Sequence, residues 1–230
     1  MSINERKELL DLYGDLRVCD VRDGLDALGY HFFGSMHHSI RPLYRTRAYG
    51  LAKTVRYLPY RGGMLYKDPR DYRDVFTPYY YQKVCVYPWT RELEDGDFVV
   101  IDQSECSVGL IGSENSLACK NAGMRGLVTN GGIRDTDEII MEEVPCWSAM
   151  ISQPMVQARL EFDRMNEPVA VGGVNVHPGD MVVADGDGIV VVPKEIAKKV
   201  AEYAHEEHEN DKKSRKKHYA AAGLKDDGTI

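Results

Sequence analysis

Asp95-Gly96-Asp97-Phe98-Val99-Val100-Ile101-Asp102 opens, and Gly123-Met124-Arg125-Gly126-Leu127-Val128-Thr129-Asn130-Gly131-Gly132-Ile133-Arg134-Asp135 closes, the stretch whose reading decides the fold. Asp95-Gly96-Asp97 is a turn, and Phe98 to Asp102 is an apolar, β-branched run too short for a helix, so it predicts a strand. Residues 113–122 carry Leu117, Ala118 and Ala122 at helical spacing, and Gly123 stands where a helix stops. Gly126 to Thr129 predicts a second buried strand, after which the backbone is expected to open into a loop at Asn130-Gly131-Gly132. Strand, helix and strand in that order make the class α/β.

Working outward, residues 4–14 and 18–29 predict amphipathic helices, the second stopped by Gly29, and residues 50–57 predict a strand. Toward the C-terminus, strands are expected over 168–173, 181–184 and 188–193. A closing helix is expected over 194–217, ending in a run of Lys, Arg and His that suits the negative end of the helix dipole. Gly96 to Asp102 and Gly179 to Asp185 echo each other as turn-plus-strand units, with no repeat around them. Residues 58–90 stand apart: Tyr60, Tyr66, Tyr72, Tyr79, Tyr80 and Tyr81 alternate with prolines and arginines. That stretch is too aromatic for a disordered linker, and predicts a structured excursion serving as core, interface or cover over a site.

A chain of 230 residues with 43% hydrophobic and 28% charged residues can bury its own core as one domain, 1–230, without staples. The net charge of −7 argues against general binding to nucleic acid or to an anionic membrane. Met1 to Arg6 has no apolar signal core, and no apolar run approaches the roughly 18 residues of a membrane span, so a cytoplasmic location is expected. Cys19, Cys85, Cys106, Cys119 and Cys146 are odd in number and scattered, which reads as free thiols rather than a disulfide frame or a zinc site.

The richest stretch for chemistry is Gly112 to Glu138. Ligands of α/β proteins gather beyond strand ends, glycines let a backbone approach a ligand, and Arg134 offers a planar fork for a carboxylate. Asp135 beside it could bind a hard divalent cation. The alternative is a surface turn in which Asp135, Asp137 and Glu138 merely favour a helix N-terminus. The residues by themselves leave both open.

Four segments together resemble the family that groups 4-hydroxy-4-methyl-2-oxoglutarate aldolases with regulators of ribonuclease E activity, the RraA-like proteins. They are Val21 to Gly29; Ile40-Arg41-Pro42-Leu43 with Gly50 to Val55; Gly112 to Asp135; and Val174 to Pro193. The resemblance covers most of the chain except 58–90 and the last few residues. It implies an α/β/β/α sandwich of the swivelling β/α/β type, assembled as a homotrimer or homohexamer. It also implies Mg²⁺ or Mn²⁺ on Asp135, Arg134 on the keto oxygen of a small-molecule 2-keto acid, and the backbone N–H groups of Asn115 and Ser116 on its carboxylate. Gly112, Ser113 and Glu114 complete the expected substrate-binding set. The chain departs from the family pattern twice. Where the family's aldolases place an acid before the twenty residues (114–133) that precede Arg-Asp, this chain has Ser113, with Glu114 next to it. Where the family has Asp-Gly, it has Asn130-Gly131.

The chemistry so implied is retro-aldol cleavage or decarboxylation through a metal-stabilised enolate. Lys120 reads as a solvated helix residue rather than a Schiff-base amine. His37-His38 reads as a loop pair, His177 as part of a turn, and Asp185-Gly186-Asp187-Gly188 as a hairpin turn. Arg61, Arg70 and Arg73 could form a cationic lid. Two further function classes stand beside the lyase: an enzyme acting on a sugar-derived acid with the same metal pocket, and a non-catalytic regulator of a ribonuclease. No strand is followed by a Gly-rich nucleotide loop, so methyl transfer finds no support.

Overall fold

Ser2-Ile3-Asn4-Glu5 has the form of a helix start, and the computed structural model closes it as a capping box: the Ser2 hydroxyl accepts from the Glu5 N–H at 3.3 Å and the Glu5 carboxylate accepts from the Ser2 N–H at 2.7 Å. The structure describes residues 2–64 and 66–230. Met1, in the segment read for a signal core, and Leu65, inside the 58–90 excursion, lie outside the described residues.

The helices are α1 (Ile3–Tyr13), α2 (Val18–Ala27), α3 (Pro69–Asp71), α4 (Thr77–Lys83), α5 (Ser113–Asn121), α6 (Thr136–Met141) and α7 (Ala197–Ala222). The strands are β1 (Arg41–Pro42), β2 (Ala48–Pro59), β3 (Asp97–Asp102), β4 (Gly109–Ile111), β5 (Met124–Ile133), β6 (Cys146–Ile151), β7 (Leu160–Met165), β8 (Val169–Val171), β9 (Val174–Val176), β10 (Met181–Ala184) and β11 (Ile189–Val192). The predicted strands and helices are therefore present, most within a few residues of expectation. Among the described residues one sheet runs β1-β6-β5-β3-β2-β10-β11, with β4 beside β5 and β7 beside β2, and β8 and β9 form a separate hairpin. The β2, β3, β5 and β6 pairings are parallel and those of β1, β7, β10 and β11 antiparallel.

Side-chain alternation shows how the sheet closes. On one face, Leu51, Met181, Val183, Val190 and Val192 bury against α1, α2 and α7. On the same face farther along, Val55, Val99, Ile101 and Leu127 bury with Cys119 of α5 and Ile139 of α6. The opposite face gathers Phe98, Val100, Val128, Trp147, Val182 and Val191 with the valines of the β8–β9 hairpin. The sheet thus curls with helices outside, and its two halves form the two β layers of the expected α/β/β/α arrangement. Trp147 of β6 spans the curl, its indole N–H donating to the Asp185 carbonyl in the β10–β11 turn at 3.0 Å. The echoed turns at Gly96 and Gly179 flank β2 on its two sides, where Gly96 O and Asp180 O accept from Leu51 N and Ala52 N.

Three expectations need correction. First, β5 does not end at Thr129: Asn130, Gly131 and Gly132 are buried inside the strand, which runs on to Ile133 between β4 and β6. The glycines are there for packing, since a Cβ at Gly131 would meet Gln103 at 2.4 Å and one at Gly132 would meet Ser152 Oγ at 2.6 Å. Asn130 serves as an internal tie, accepting from Gln103 N at 2.6 Å and donating to Asp102 at 2.9 Å. Second, α7 continues to Ala222, so the basic run 212–218 lies ahead of the last turn and Gly223, at φ 67°, ends the helix. Third, Lys120 is not simply solvated: its ammonium donates to the Glu142 and Glu143 carbonyls at the end of α6.

The 58–90 excursion is ordered by its rings. Tyr66, Tyr72, Phe76 and Tyr80 pack with centroids 5.1–6.1 Å apart, within the range that favours aromatic pairs. The buried Trp89 indole N–H donates to Tyr57 at 2.9 Å. The stretch sends Phe76, Tyr80, Cys85 and Trp89 into the core and leaves most of its other described residues exposed or half-buried, and Tyr81, Tyr87 and Thr90 line the site.

Candidate active site

The loop from β4 into α5 and the turn from β5 into α6 meet side by side, because β4 pairs with the end of β5 through Gly109–Gly132 and Ile111–Ile133. This pairing brings residues 109–115 against Arg134 and Asp135, which sequence separation alone would not do. Asp135 precedes α6 with φ 55°, ψ 44°, a left-handed conformation that costs most residues but that Asp tolerates. It aims the carboxylate back toward α5: Oδ1 accepts from Arg134 Nε at 3.1 Å and Oδ2 from the Ser113 N–H at 3.4 Å. Gly109 and Gly112 make room for these side chains. A Cβ at 109 would meet the Arg134 chain at 2.6–2.7 Å, and one at 112 would meet Asp135 Oδ2 at 2.4 Å.

The first turn of α5 has no hydroxyl or carboxylate cap at Gly112; the Asn115 side chain instead accepts from the Gly112 N–H at 2.8 Å. The backbone N–H groups of Glu114 and Asn115 have no acceptor among the described residues, the condition that makes a helix start an anion site. The expectation for Ser116 is corrected: its N–H already donates to the Gly112 carbonyl at 3.0 Å, its hydroxyl donates to the Ser113 carbonyl, and it is buried. It sits one residue too far into the helix to reach a ligand.

These groups face a cleft of about 550 Å³ that Gly112, Glu114, Asn115, Arg134 and Asp135 line together with Tyr81, Tyr87, Thr90, Leu110, Ala118 and Met155. Ser113 contributes its N–H to Asp135 but does not line the cleft, whereas Glu114 does. Sequence reasoning missed Tyr81, Tyr87, Thr90 and Met155; the density of tyrosine in 58–90 was the available signal. Arg61, Arg70 and Arg73 form no lid over it: Arg61 pairs with Glu161, Arg73 with Asp74, and all three are exposed away from the cleft wall. The His37 and His38 rings lie 4.1 Å apart, tilted by 37°, with His37 on the wall of a separate cavity, and His177 closes a turn in which its N–H donates to Asp180.

Burial pushes the Tyr81 phenol up from its ordinary value, with the Arg134 charge pulling the other way, and burial raises Tyr87 well above it. Both are neutral at neutral pH. Tyr87 donates to the Leu110 carbonyl at 3.1 Å, and Tyr81 accepts from the Gln157 amide at 3.2 Å, which leaves the Tyr81 proton free to be donated elsewhere.

The donor set can be tested against a metal. Among the described residues no group of three or more His, Cys, Asp or Glu side chains is placed to hold an ion, which does not fit a closed zinc cage. Asp135, with Glu114 on the same cleft, fits a hard cation that keeps much of its water and takes one or two carboxylates. The space that Gly112 leaves at Asp135 Oδ2 is consistent with that.

Residues 18–191 match the RraA-like family model, described as aldolase/RraA. The chain belongs to this family. Among curated RraA-like relatives, a provisionally named 4-hydroxy-4-methyl-2-oxoglutarate aldolase of Halalkalibacterium halodurans is 29% identical over 52% of this chain and 57% of its own length. A provisionally named aldolase of the same kind from Arabidopsis thaliana is 31% identical over 45% of this chain and 62% of its own length. The chain thus spans about three fifths of the length of these relatives. Among solved structures, Streptomyces coelicolor RraAS2, described as an unusual member of the RNase ES inhibitor RraA family, is 27% identical with a TM-score of 0.72, covering 90% of this chain and 96% of that one. Among the described residues no helix is long and apolar enough to cross a membrane.

Proposed function

We propose that this RraA-like protein is a cytoplasmic, divalent-metal-dependent lyase that cleaves a 2-keto acid by retro-aldol cleavage or decarboxylation, working as a homotrimer or homohexamer. One observation carries the reading: Asp135, Arg134 and the unpaired N–H groups at the start of α5 face a single cleft. The names of the curated relatives agree with it.

Asp135, with Glu114 on the same cleft, would hold Mg²⁺ or Mn²⁺, which when bound would supply positive charge where negative charge develops on the keto oxygen. The remaining roles belong to the chain. The Glu114 and Asn115 N–H groups take the substrate carboxylate, held there by the positive end of the α5 dipole. Arg134 is anchored through Nε on Asp135, so its terminal nitrogens are presented as a fixed fork to the keto oxygen. Tyr81 and Tyr87 wall the cleft and limit water at the reacting carbon. No lysine lines the cleft among the described residues, and Lys120 is committed to carbonyls, so imine chemistry has no amine to start from.

The test is oxaloacetate decarboxylation with Mg²⁺ or Mn²⁺ and with chelator, in wild type and Asp135→Ala. Metal-dependent turnover lost in the variant supports the reading; absence of turnover with any keto acid refutes it. The likeness to RraAS2 over nearly the whole chain favours a second reading, a ribonuclease regulator. Inhibition of a ribonuclease that is indifferent to Asp135→Ala and to metal would support that one.

A further inference from the structure

The charges that line the cleft can be counted. Arg134 is the one Lys or Arg side chain lining it among the described residues, set against the carboxylates of Asp135 and Glu114. With a divalent cation on the two acids the site carries one net positive charge, enough for one substrate carboxylate. Its other side chains are neutral: Tyr81, Tyr87, Thr90, Leu110, Ala118 and Met155. The cations that could have met a second carboxylate from the excursion, Arg61 and Arg73, are tied to Glu161 and Asp74 outside the cleft. A second carboxylate would therefore lose water among uncharged groups and gain no cationic partner, which is the costly way to bury a charge. An aromatic or aliphatic tail against Tyr81, Tyr87 and Met155 gains contact area with two rings and a thioether.

We infer that the cleft selects 2-keto acids with a single carboxylate and an uncharged, apolar or aromatic remainder lying against Tyr81, Tyr87 and Met155. This rests on the keto-acid lyase reading and narrows its substrate class. For a retro-aldol substrate of this class, the C3–C4 bond breaks, the C4 hydroxyl gives up its proton as C4 becomes an aldehyde or ketone carbonyl, and C3 regains a proton, so the products are pyruvate and an uncharged carbonyl compound. Tyr81, whose hydroxyl accepts from Gln157 and keeps its own proton to donate, is placed to bond a neutral oxygen on that remainder.

Calorimetric titration with Mg²⁺ present, using phenylpyruvate and 2-oxoglutarate as probes, tests this without relying on turnover. Phenylpyruvate is expected to bind wild type roughly tenfold or more tightly than 2-oxoglutarate, the factor that ~1.4 kcal/mol makes. Met155 is 38% exposed, so Met155→Arg can be introduced without opening the core, and it is expected to narrow or reverse the preference by adding the missing cation. Tyr81→Phe is a second variant, expected to keep the preference for phenylpyruvate because the ring remains. Equal or tighter binding of 2-oxoglutarate to wild type, or binding of neither probe, overturns the inference. If 2-oxoglutarate is preferred while decarboxylation stays dependent on Asp135, the selectivity is wrong and the lyase reading stands. If phenylpyruvate is preferred but no keto acid is ever turned over, the selectivity stands and the lyase reading falls.

Discussion

Gly112→Ala separates the placement of Asp135 from the stability of the fold. Gly112 has extended backbone, φ −127°, ψ −176°, so alanine fits the chain there without strain. The added Cβ, however, would lie 2.4 Å from Asp135 Oδ2, and ordinary contact begins near 3.4 Å. The carboxylate oxygen must retreat by about 1 Å, and it can, because it is the end of a half-exposed side chain. Alanine is a poorer helix N-cap than glycine but restricts the unfolded chain, two effects of opposite sign that should leave stability within about 1 kcal/mol of wild type. A displacement of about 1 Å at a reacting centre can cost on the order of 100-fold in rate. The expected outcome is a fall in kcat/KM for keto-acid cleavage of roughly 10- to 100-fold and a higher Mg²⁺ concentration for half-saturation, with Tm nearly unchanged by calorimetry. Gly109→Ala is the contrast: its Cβ would press on Arg134 Cβ, Cγ and Cδ at 2.6–2.7 Å, so it should raise KM and lower stability while leaving the Mg²⁺ requirement alone. Wild-type activity and Mg²⁺ dependence in Gly112→Ala would refute the placement of the ion on Asp135.

Three more predictions follow from the same geometry. Asp135→Asn keeps a side chain that tolerates the left-handed backbone and should fold normally while losing metal-dependent turnover; Asp135→Gly should raise stability by up to about 1 kcal/mol in urea unfolding and be equally inactive. Gly131→Ala or Gly132→Ala should destabilise by roughly 1–3 kcal/mol by overpacking, read as a lower urea midpoint; an unchanged midpoint would mean that the tight fit against Gln103 and Ser152 relaxes freely. Burial alone would push the Asp20 carboxyl up, but bonds from Arg17 and the nearby His208 hold it below its ordinary 3.8. Its stabilising contribution is therefore present above that value and lost as pH falls through the depressed one. Asp20→Asn should flatten the fall in Tm between pH 4 and pH 2, and equal steepness in both proteins would count against the assignment.

Most of the secondary structure was legible because its signals are local. Phe98–Asp102 and Ile189–Val192 are short apolar runs bounded by turns, and Gly29 and Gly123 mark helix ends through backbone chemistry that needs no partner. The same local reasoning failed at Asn130-Gly131-Gly132. Paired glycines signal a loop unless a neighbouring strand presses a side chain into the space, and Gln103 and Ser152 come from elsewhere in the chain.

The candidate site divides in the same way. Arg134 and Asp135 drew notice by residue type and the start of α5 by its helix signal, and the family resemblance gave them their expected roles. That Gly112 touches Asp135, that Ser116 is buried, and that Glu114 rather than Ser113 faces the cleft depend on the β4–β5 pairing. Tyr81, Tyr87 and Met155 arrive only when the aromatic excursion folds back over that pairing. Gly126 to Thr129 therefore fixed by itself a strand with an Arg-Asp pair a few residues beyond it, because backbone preference and charge are properties of neighbours along the chain. Which groups share a cleft with that pair is a property of strand register and packing, and only the tertiary structure decides it.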